Sequence, residues 1–531
     1  MFNNEWWRGA VIYQIYPRSF KDSNDDGIGD LRGVISKLDY LASLKIDAIW
    51  LSPFFTSPMK DFGYDISDYR DVDPIFGTLT DFRELIDKAH KKNLKVIIDQ
   101  VYSHTSDQHE WFKESRKSKT NPKADWYVWA DAKPDGTPPN NWLSLFGGSA
   151  WQWDSTRQQY YMHNFLTSQP DINFHCPEAQ DAILDTAKFW LDLGVDGFRL
   201  DVVNMYFHDA ELTDNPIADS PEKQFVGIDP ANPFSRQYHI HQMCRDDNLQ
   251  FLKRLRKLLN NYPGSTTIGE IGAPDGMSYM AQYTEGNDKL HMAYTFELLN
   301  DRCDPDYIRS TLKRVSEKLV DGWPCFSLSN HDVIRSATRW TKGSDNPGNK
   351  IKAMLALLLT QRGSPCIYQG EELGLPEANV AFEYLQDPFG IEFWPEFKGR
   401  DGCRTPMAWQ DKDNLGFTDH NRSWLPPAPE HRCLAVEVQQ KDPHSILTFI
   451  KTFIEFRKKY PALISGNIEW LTDSGDCLIY KRYDKHNELV IAINLSEQPF
   501  TVTKSLGSDL VWGQLNKNQI PANGVVIFKN K

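Results

Sequence analysis

The sequence lacks several features that define large classes of proteins. Its eight cysteines form no C-x-x-C or C-x-x-H cluster, which argues against a zinc module or a disulfide scaffold and favours free thiols in a reducing compartment. The longest apolar runs, such as residues 353–359, are too short to cross a bilayer. The opening residues, MFNNEWWRGA, show no basic region leading into an apolar one, as an export signal would. We therefore expect a cytoplasmic protein that does not cross a membrane.

Positive charge is also scarce. Asp and Glu outnumber Lys and Arg 72 to 59, the formal net charge is -13, and no long basic run is present. This balance argues against nucleic acid or an anionic membrane as a partner. Aromatic residues, by contrast, make up 13% of the chain and include 17 tryptophans. Such rings fill cores, and they also stack on the flat apolar faces of sugars.

Short apolar runs alternate with longer amphipathic segments from Val11 onwards, which is the βαβα pattern of a parallel sheet or barrel. Eight strands are predicted, at VIYQIYP, DAIWLSPF, LKVIIDQV, VDGFRLDVV, TTIGEI, MAYTFELL, CFSLSN and SPCIYQG. Helices are predicted between them, at residues 31–45, 79–92, 177–193, 248–260 and 351–361. Eight strands in this alternation predict a (β/α)8 TIM barrel.

The length of 531 residues allows a barrel-sized domain with smaller additions. We predict that the barrel comprises residues 1–104 and 170–460, with a loop-rich insertion at about 375–425. Residues 105–169 lose the periodicity and are rich in Trp, Gly, Pro and Asn, so they are predicted to form a small domain after the third strand. Residues 461–531 contain β-type runs without helices, which predicts a C-terminal antiparallel β-sandwich.

Three acidic residues follow predicted barrel strands. Asp201 closes GFRLD, Glu270 ends TTIGE, and Asp332 follows SLSNH. A barrel gathers the carboxyl ends of its strands at one mouth, and glycoside hydrolysis needs two carboxyl groups there. Arg199 lies two residues before Asp201 on the same strand, so the two side chains point the same way and the guanidinium favours an ionised carboxylate. Any one of these acids alone is better explained as a helix cap or a solvated loop residue, but three in register favour a shared site.

The segments around these acids resemble the ordered signature regions of the α-amylase superfamily, glycoside hydrolase family 13. They read DQVYSH, GFRLD, GE and SNHD, and the resemblance extends over nearly the whole chain. It implies a nucleophile at Asp201, a general acid/base at Glu270 and a transition-state stabiliser at Asp332. It also implies sugar-binding roles for His104, Arg199 and His331. One departure is Ser103, which stands where the family usually has Asn.

Two more segments resemble the oligo-1,6-glucosidase and α-glucosidase branch of the family: QPDIN from Gln169 and GRDGCRTPMAW from Gly399. In that branch an Asp and an Arg close the pocket around the non-reducing glucose. The matching residues are Asp61 and Arg400, and Tyr64 is implied to stack on the sugar. An Asp and Arg pair can bind neighbouring hydroxyl groups and block further sugar units. The alternative for the arginine is an interdomain ion pair.

The resemblance therefore implies an exo-acting, retaining α-glucosidase that acts on small α-glucosides, with transglucosylation as a further outcome. It implies no organic cofactor. Sucrose or trehalose-phosphate hydrolases and glucosyl-transferring isomerases share the same three acids, so they stay open as alternatives. An inactive scaffold or transporter partner would lack the acids or carry a membrane anchor, and the sequence shows neither feature.

Val202, directly after the predicted nucleophile, bears on linkage. By resemblance, members of this branch that cleave α-1,6 bonds usually carry Val here, whereas α-1,4-specific members carry a smaller or hydroxylated residue. A β-branched side chain narrows the first leaving-group subsite, and the extra rotatable carbon of an α-1,6 bond lets the second sugar avoid it. The alternative is that Val202 packs at the barrel rim. The expectation leans to α-1,6 bonds and leaves α-1,4 bonds open.

The stretch DSNDDGIGD places oxygen atoms at alternating positions around a glycine, much like the first part of an EF-hand loop. A structural Ca²⁺ or Mg²⁺ ion is predicted, and the resembling branch commonly binds one in this loop. The predicted ligands are Asp22, Asn24, Asp26, Asp30 and the Ile28 carbonyl. The alternative is an Asx-rich turn whose carboxylates accept main-chain N–H groups.

Overall fold

The computed structural model describes residues 5–220, 228, 232–502 and 506–530. Its centre is a sheet of eight parallel strands, here labelled in chain order as β1 Ile12–Ile15, β2 Ala48–Leu51, β3 Lys95–Gln100, β4 Gly197–Leu200, β5 Thr266–Ile271, β6 Met292–Thr295, β7 Cys325–Ser327 and β8 Ser364–Tyr368. The spatial order is β6-β5-β4-β3-β2-β1-β8-β7. A parallel bridge between Ala293 and Pro324 brings β6 beside β7 and closes the sheet. The predicted (β/α)8 barrel is confirmed.

The barrel strands are buried on both faces. All residues of β1, β2, β4 and β5 are buried, as their nearly continuous apolar sequences require for strands with a filled interior and helices outside. Alternate residues meet inside the barrel, among them Ile12, Ala48, Ile97, Ile268 and Met292. This packed interior leaves the strand ends as the place for a site.

The helices outside the barrel follow the amphipathic segments. Leu79–Lys91 buries Phe82, Leu85, Ile86 and Ala89, and a capping box between Thr78 and Asp81 starts it. No helix in the part of the chain that the structure describes has the length and apolar character of a membrane span. The α-helices are Pro17–Phe20, Leu31–Ser36, Leu38–Ser43, Leu79–Lys91, Glu110–Ser115, Pro177–Asp192, Asn248–Leu259, Gly276–Thr284, Pro305–Lys318, Ser336–Arg339, Pro347–Thr360, Pro388–Glu392, Val436–Gln439, Ile446–Lys458 and Pro461–Ile464.

The segment 31–45, predicted as one helix, contains two. The first ends at Ser36 and the second begins at Leu38, with Lys37 outside the helical region at φ −108° and ψ 6°. The Ser36 hydroxyl donates to the Gly33 carbonyl at 2.7 Å. Because a serine hydroxyl competes with main-chain N–H groups for carbonyls, it favours a break here.

The segment between β3 and the helix Pro177–Asp192 forms a three-stranded antiparallel sheet. Its strands are Trp129–Ala130, Trp151–Asp154 and Gln159–Met162, with the last in the centre. Isolated β-bridges, including one between His104 and Asp171, join the chain that leads into this sheet to the chain that leaves it. A smaller hairpin after β2 pairs the strands Phe55–Thr56 and Asp68–Val72.

The chain ends in antiparallel β-structure, which confirms the predicted C-terminal β domain. Arg482 donates to the carbonyl of Thr360 at 2.6 Å, and Arg457 donates to that of Leu359 at 2.8 Å. These carbonyls lie in the last turn of the helix Pro347–Thr360, where main-chain carbonyls have no partner within the helix. The two guanidinium groups therefore supply the missing hydrogen bonds at its C-terminus. A five-stranded sheet contains Asn467–Trp470, Cys477–Tyr483, Glu488–Asn494, Val525–Asn530 and Asp509–Trp512, and a two-stranded sheet contains Phe500–Thr501 and Gln519–Ile520.

Candidate active site

A cavity of about 450 Å³ opens at the carboxyl ends of the barrel strands. Two residues implied to bind sugar, Arg199 and His331, have fully buried side chains and lie behind its wall. The other residues predicted for catalysis and substrate binding all line the cavity: Asp61, Tyr64, His104, Asp201, Val202, Glu270, Asp332 and Arg400. The fold therefore gathers residues that are up to 339 positions apart in sequence.

Arg199 of β4 joins three carboxylates. Its Nη1 lies 2.9 Å from Asp99 Oδ1 and 2.6 Å from Asp201 Oδ1, and its Nη2 lies 2.6 Å from Glu270 Oε2. The sheet register causes this arrangement, because Arg199 is level with Asp99 of β3 and with Ile268 of β5. We call Arg199 and its three carboxylates the Arg199 cluster.

Glu270 receives two more hydrogen bonds. The Tyr294 hydroxyl of β6 donates to Oε1 at 2.9 Å, and the main-chain N–H of Val202 donates to Oε2 at 3.1 Å. Val202 adopts a left-handed conformation, with φ 35° and ψ 50°. For a β-branched residue such a backbone costs on the order of 1–3 kcal/mol, so the surrounding structure must enforce it. The turn after β4 directs this N–H towards the carboxylate.

One guanidinium is shared among three buried carboxyls in the Arg199 cluster. Burial raises the pKa of Asp99 to about 6 and the pKa values of Asp201 and Glu270 to about 7, and Arg199 only partly opposes the rise. For Glu270, burial is the first cause of the raised pKa, and repulsion by Asp201 and Asp332 adds to it. Arg199 lowers the pKa of Asp201, as the sequence indicated, but burial outweighs this effect.

Arg400 forms a second cluster on another part of the wall. Its Nη2 lies 2.8 Å from Asp61 Oδ1 and 2.7 Å from Asp387 Oδ1, and its Nη1 lies 3.3 Å from Asp332 Oδ1. We call these four residues the Arg400 cluster. The ion pairs of Arg400 are thus made within the pocket wall, where a lone cation would be costly to bury.

Asp332 differs electrostatically from the acids of the Arg199 cluster. Arg404 Nη2 lies 2.9 Å from its Oδ1, and His331 Nε2 lies 3.2 Å from its Oδ2. Burial alone would raise the pKa of this carboxyl, but the positive charges of Arg400 and Arg404 beside it bring the pKa below the ordinary value. Asp332 therefore stays ionised at neutral pH.

The two histidines support the wall as neutral imidazoles. Tyr64 stacks on His331 with ring centroids 5.3 Å apart and an angle of 9° between planes, and its hydroxyl contacts His331 Nε2. His104 Nε2 lies 3.0 Å from the Tyr64 carbonyl oxygen. Burial lowers the pKa of His104 to about 4 and that of His331 well below the ordinary value. Their roles at neutral pH are those of uncharged hydrogen-bonding groups.

Several functional neighbours escaped the sequence analysis. Gln169 donates to Asp61 Oδ2 at 3.1 Å. It is the first residue of the QPDIN segment, so the resemblance of that segment to the α-glucosidase branch could have pointed to it. Tyr294 is level with Glu270 in the sheet, so a register for β5 and β6 would have found it. Asp387 had no comparable signal, because an Asp before Pro indicates only a helix start.

The residues predicted to bind a cation lie in the loop after β1. Asp22 Oδ1 accepts the N–H groups of Asn24 and Asp25 at 3.0 and 2.8 Å, and Oδ2 accepts the Thr418 hydroxyl at 2.6 Å. Asp30 caps the helix that follows. In the described residues, no group of three or more His, Cys, Asp or Glu side chains is arranged to hold a metal ion. The loop has the geometry of an Asx-rich turn.

A barrel with a carboxylate-lined cavity at its strand ends can place the two carboxyl groups that glycoside hydrolysis needs. Residues 14–466 match the family model described as "Alpha amylase, catalytic domain". The chain therefore belongs to the α-amylase family, and the relatives described next place it in the branch of the α-glucosidases and oligo-1,6-glucosidases.

Individual relatives agree with this assignment. The chain is 53% identical over 502 residues to a probable alpha-glucosidase of Rhizobium meliloti (strain 1021), covering 94% of this chain and 91% of the relative. It is 38% identical to an oligo-1,6-glucosidase of Heyndrickxia coagulans, with 93% and 92% covered. The crystal structure of the alpha-glucosyl transfer enzyme XgtA superposes with a TM-score of 0.95 at 53% identity, covering 99% of both chains.

Proposed function

We propose that this protein is an exo-acting, retaining α-glucosidase that releases α-glucose from the non-reducing end of short α-glucosides. The observation that carries the proposal is the bridge from Asp201 through one guanidinium to Glu270, at 2.6 Å on each side. Two carboxyls of a retaining glycosidase lie about 5–5.5 Å apart, whereas inverting enzymes leave room for a water between them. A single guanidinium that contacts both carboxyls keeps them close together, which is compatible with the shorter separation.

In the first step, an ionised Asp201 oxygen attacks the anomeric carbon, and Glu270 gives its proton to the departing glycosidic oxygen. The products are a glucosyl ester of Asp201 and the free leaving group. In the second step, Glu270 takes a proton from water, the water oxygen attacks the same carbon, and the ester bond breaks. Asp332 stays ionised, which favours the positive charge that develops on the sugar ring.

The Arg400 cluster supports exo action. Arg400 and Asp61 are paired within the wall of the cavity and are both buried. Paired charges of this kind offer a donor and an acceptor to neighbouring hydroxyl groups of one glucosyl unit. We propose that this pair closes the wall, so that a further sugar beyond the non-reducing end has no space there.

We propose a preference for α-1,6 bonds, with cleavage of α-1,4 bonds left open. The Val202 side chain lines the cavity directly after the proposed nucleophile, and one relative is an oligo-1,6-glucosidase. We propose transglucosylation as a second outcome, since another relative is an alpha-glucosyl transfer enzyme. In that case a sugar hydroxyl replaces water in the second step.

The proposal is tested with isomaltose, maltose, sucrose and trehalose as substrates, followed by NMR of the first glucose anomer released. We expect the fastest hydrolysis with isomaltose and α-glucose as the first product. β-Glucose as the first product would contradict retention. A substrate range restricted to sucrose, or to a phosphorylated disaccharide, would replace the proposed specificity by that of a related hydrolase or isomerase.

We propose in addition that a structural divalent cation binds the loop after β1. The candidate ligands are the oxygens of Asp22, Asn24, Asp26 and Asp30 and the Ile28 carbonyl, and hard cations prefer such donors. The cation would stabilise the loop and take no part in the reaction. Chelation with EDTA is expected to lower the unfolding temperature, and Ca²⁺ or Mg²⁺ is expected to restore it. An unchanged unfolding temperature would contradict the proposal.

A further inference from the structure

Asp387 is a fully buried carboxylate that lies behind the pocket wall and takes no part in the proposed chemistry. It directly precedes the short helix Pro388–Glu392 in the loop-rich insertion, and its Oδ1 accepts the Phe389 N–H at 3.2 Å. A helix cap alone needs one such bond, and Asn or Ser would supply it equally well. The remaining contacts of the carboxylate go to Arg400.

Three hydrogen bonds join Asp387 to Arg400. The side-chain Nη2 and Nε of Arg400 lie 2.7 Å from Oδ1 and 3.1 Å from Oδ2, and the main-chain N–H of Arg400 donates to Oδ2 at 2.7 Å. The carboxylate therefore occupies one edge of the guanidinium in a bidentate manner, which fixes the plane of the group. The N–H groups that remain are directed at Asp61 and Asp332.

The backbone around Asp387 leaves it little freedom. The N–H groups of Gln386 and Asp387 donate to Asp401 Oδ2 at 2.6 and 2.9 Å. A Cβ atom on Gly390 would lie 2.6 Å from the Cα of Gly399, so the helix after Asp387 and the segment before Arg400 touch through their backbones. Because the two backbones are in direct contact, a shift of one segment would displace the other.

The negative charge of Asp387 contributes to the orientation of Arg400. Burial alone would raise its pKa, but Arg400 brings the pKa of this carboxyl below the ordinary value, so Asp387 is ionised. Without this charge, Arg400 would be shared only between Asp61 and Asp332. The guanidinium would then turn towards whichever of these two carboxylates attracts it more.

We infer that Asp387 is a positioning residue for substrate binding, which holds Arg400 in the orientation that closes the pocket around the terminal glucosyl unit. It acts through Arg400 and does not touch the sugar. The inference rests on the proposed function in one respect, namely that a glucosyl unit occupies this pocket.

The test compares Asp387→Asn with Glu392→Gln, which removes the same charge from the exposed end of the same helix. KM and kcat are measured with an aryl α-glucoside, and glucose is used as a competitive inhibitor. For Asp387→Asn we expect KM and the glucose inhibition constant to rise together by about 10- to 100-fold, the effect of weakening a charged hydrogen-bonded pair. We expect kcat to change less, and Glu392→Gln to behave as wild type. Unchanged KM and inhibition constant in Asp387→Asn would overturn the inference.

A double-mutant cycle separates positioning from a merely structural role. In an Arg400→Ala background, Asp387→Asn is expected to change the glucose inhibition constant by less than about 3-fold, because its target is absent. An equal effect in both backgrounds would overturn the inference.

If Asp387→Asn does not fold, Asp387→Glu keeps the charge but displaces the guanidinium, and an unchanged KM in Asp387→Glu would also overturn the inference. If wild type cleaves no α-glucoside, the proposed function fails, and glucose binding by calorimetry still tests Asp387.

Discussion

The Arg199 cluster and the Arg400 cluster each hold one arginine among three carboxyls, but the pKa values of Asp201 and Asp332 are shifted in opposite directions. In the Arg199 cluster a single cation faces three carboxyls, and burial raises the pKa values of Asp201 and Glu270 to about 7. Asp332, of the Arg400 cluster, contacts two arginines, and its pKa lies below the ordinary value. The second arginine beside Asp332 thus outweighs burial there, whereas burial raises the pKa of Asp61 in the same cluster.

This difference matches the proposed division of labour. A group that donates and accepts protons needs a pKa near the working pH, and the Arg199 cluster provides it. A group that stabilises positive charge needs constant ionisation, which the arginines around Asp332 provide. The comparison also predicts which substitutions affect chemistry and which affect binding.

The largest effect is expected when the Arg199 cluster loses its nucleophile. Asp201→Asn should lower kcat by several orders of magnitude, on the order of 10⁴-fold, because an amide cannot form the glucosyl ester. The unfolding temperature is expected to stay close to that of wild type. Asp181→Asn, on an exposed position of the helix Pro177–Asp192, serves as the control. Ordinary activity of Asp201→Asn would refute the assignment of the nucleophile.

The next effect depends on the leaving group. Glu270→Gln should lower kcat/KM for isomaltose by about 10²–10⁴-fold, because the departing sugar oxygen needs a proton. The first step with an aryl glucoside whose phenol leaves without protonation should be nearly unchanged. Pre-steady-state release of the phenol measures this step. An equal loss with both substrates would contradict a role as general acid.

The contrast between the raised pKa of Glu270 and the lowered pKa of Asp332 can be tested with a pH profile. Burial raises the pKa of Glu270 to about 7, and the first step needs its protonated form, so kcat/KM should fall about tenfold per pH unit well above pH 7. Tyr294 donates a hydrogen bond to this carboxyl, which favours the ionised form. Tyr294→Phe should therefore move the alkaline limb to higher pH. A limb that stays in place or moves to lower pH would show that another group controls it.

How far the sequence predicts this site depends on where each residue lies. Asp201 and Glu270 end barrel strands, and the rule that strand ends meet at one mouth predicts their proximity from local pattern alone. The contact between Asp387 and Arg400 has no such basis, because it depends on how the insertion folds back on itself. The proline after Asp387 predicts a helix start and nothing about its partner.

Local preferences fail at Val202 for a related reason. Valine favours extended backbone, so its sequence predicts a continuing strand, whereas it adopts φ 35°. Tertiary contacts, including its N–H bond to Glu270, enforce this conformation at the site. At Ser36, by contrast, the end of the first helix of segment 31–45 is accompanied by a local hydrogen bond, from the Ser36 hydroxyl to the Gly33 carbonyl.

The smallest effect concerns linkage. Val202→Ala should reduce the ratio of kcat/KM for isomaltose over maltose, because the removed methyl groups widen the first leaving-group subsite. The loss of methyl groups from an apolar subsite changes the free energy of discrimination between two substrates by about 1–3 kcal/mol. The two ratios are measured side by side for wild type and variant. A wild-type enzyme that prefers maltose, with an unchanged ratio in the variant, would refute the role of Val202.

The most direct test of the central claim is to trap the covalent intermediate. A fluorinated α-glucosyl fluoride forms the glucosyl ester quickly and hydrolyses slowly, so the labelled protein can be digested and its peptides identified by mass spectrometry. The account predicts a glucosyl label on Asp201. A label on another carboxyl group, or turnover with no labelled peptide and β-glucose as the first product, would contradict it.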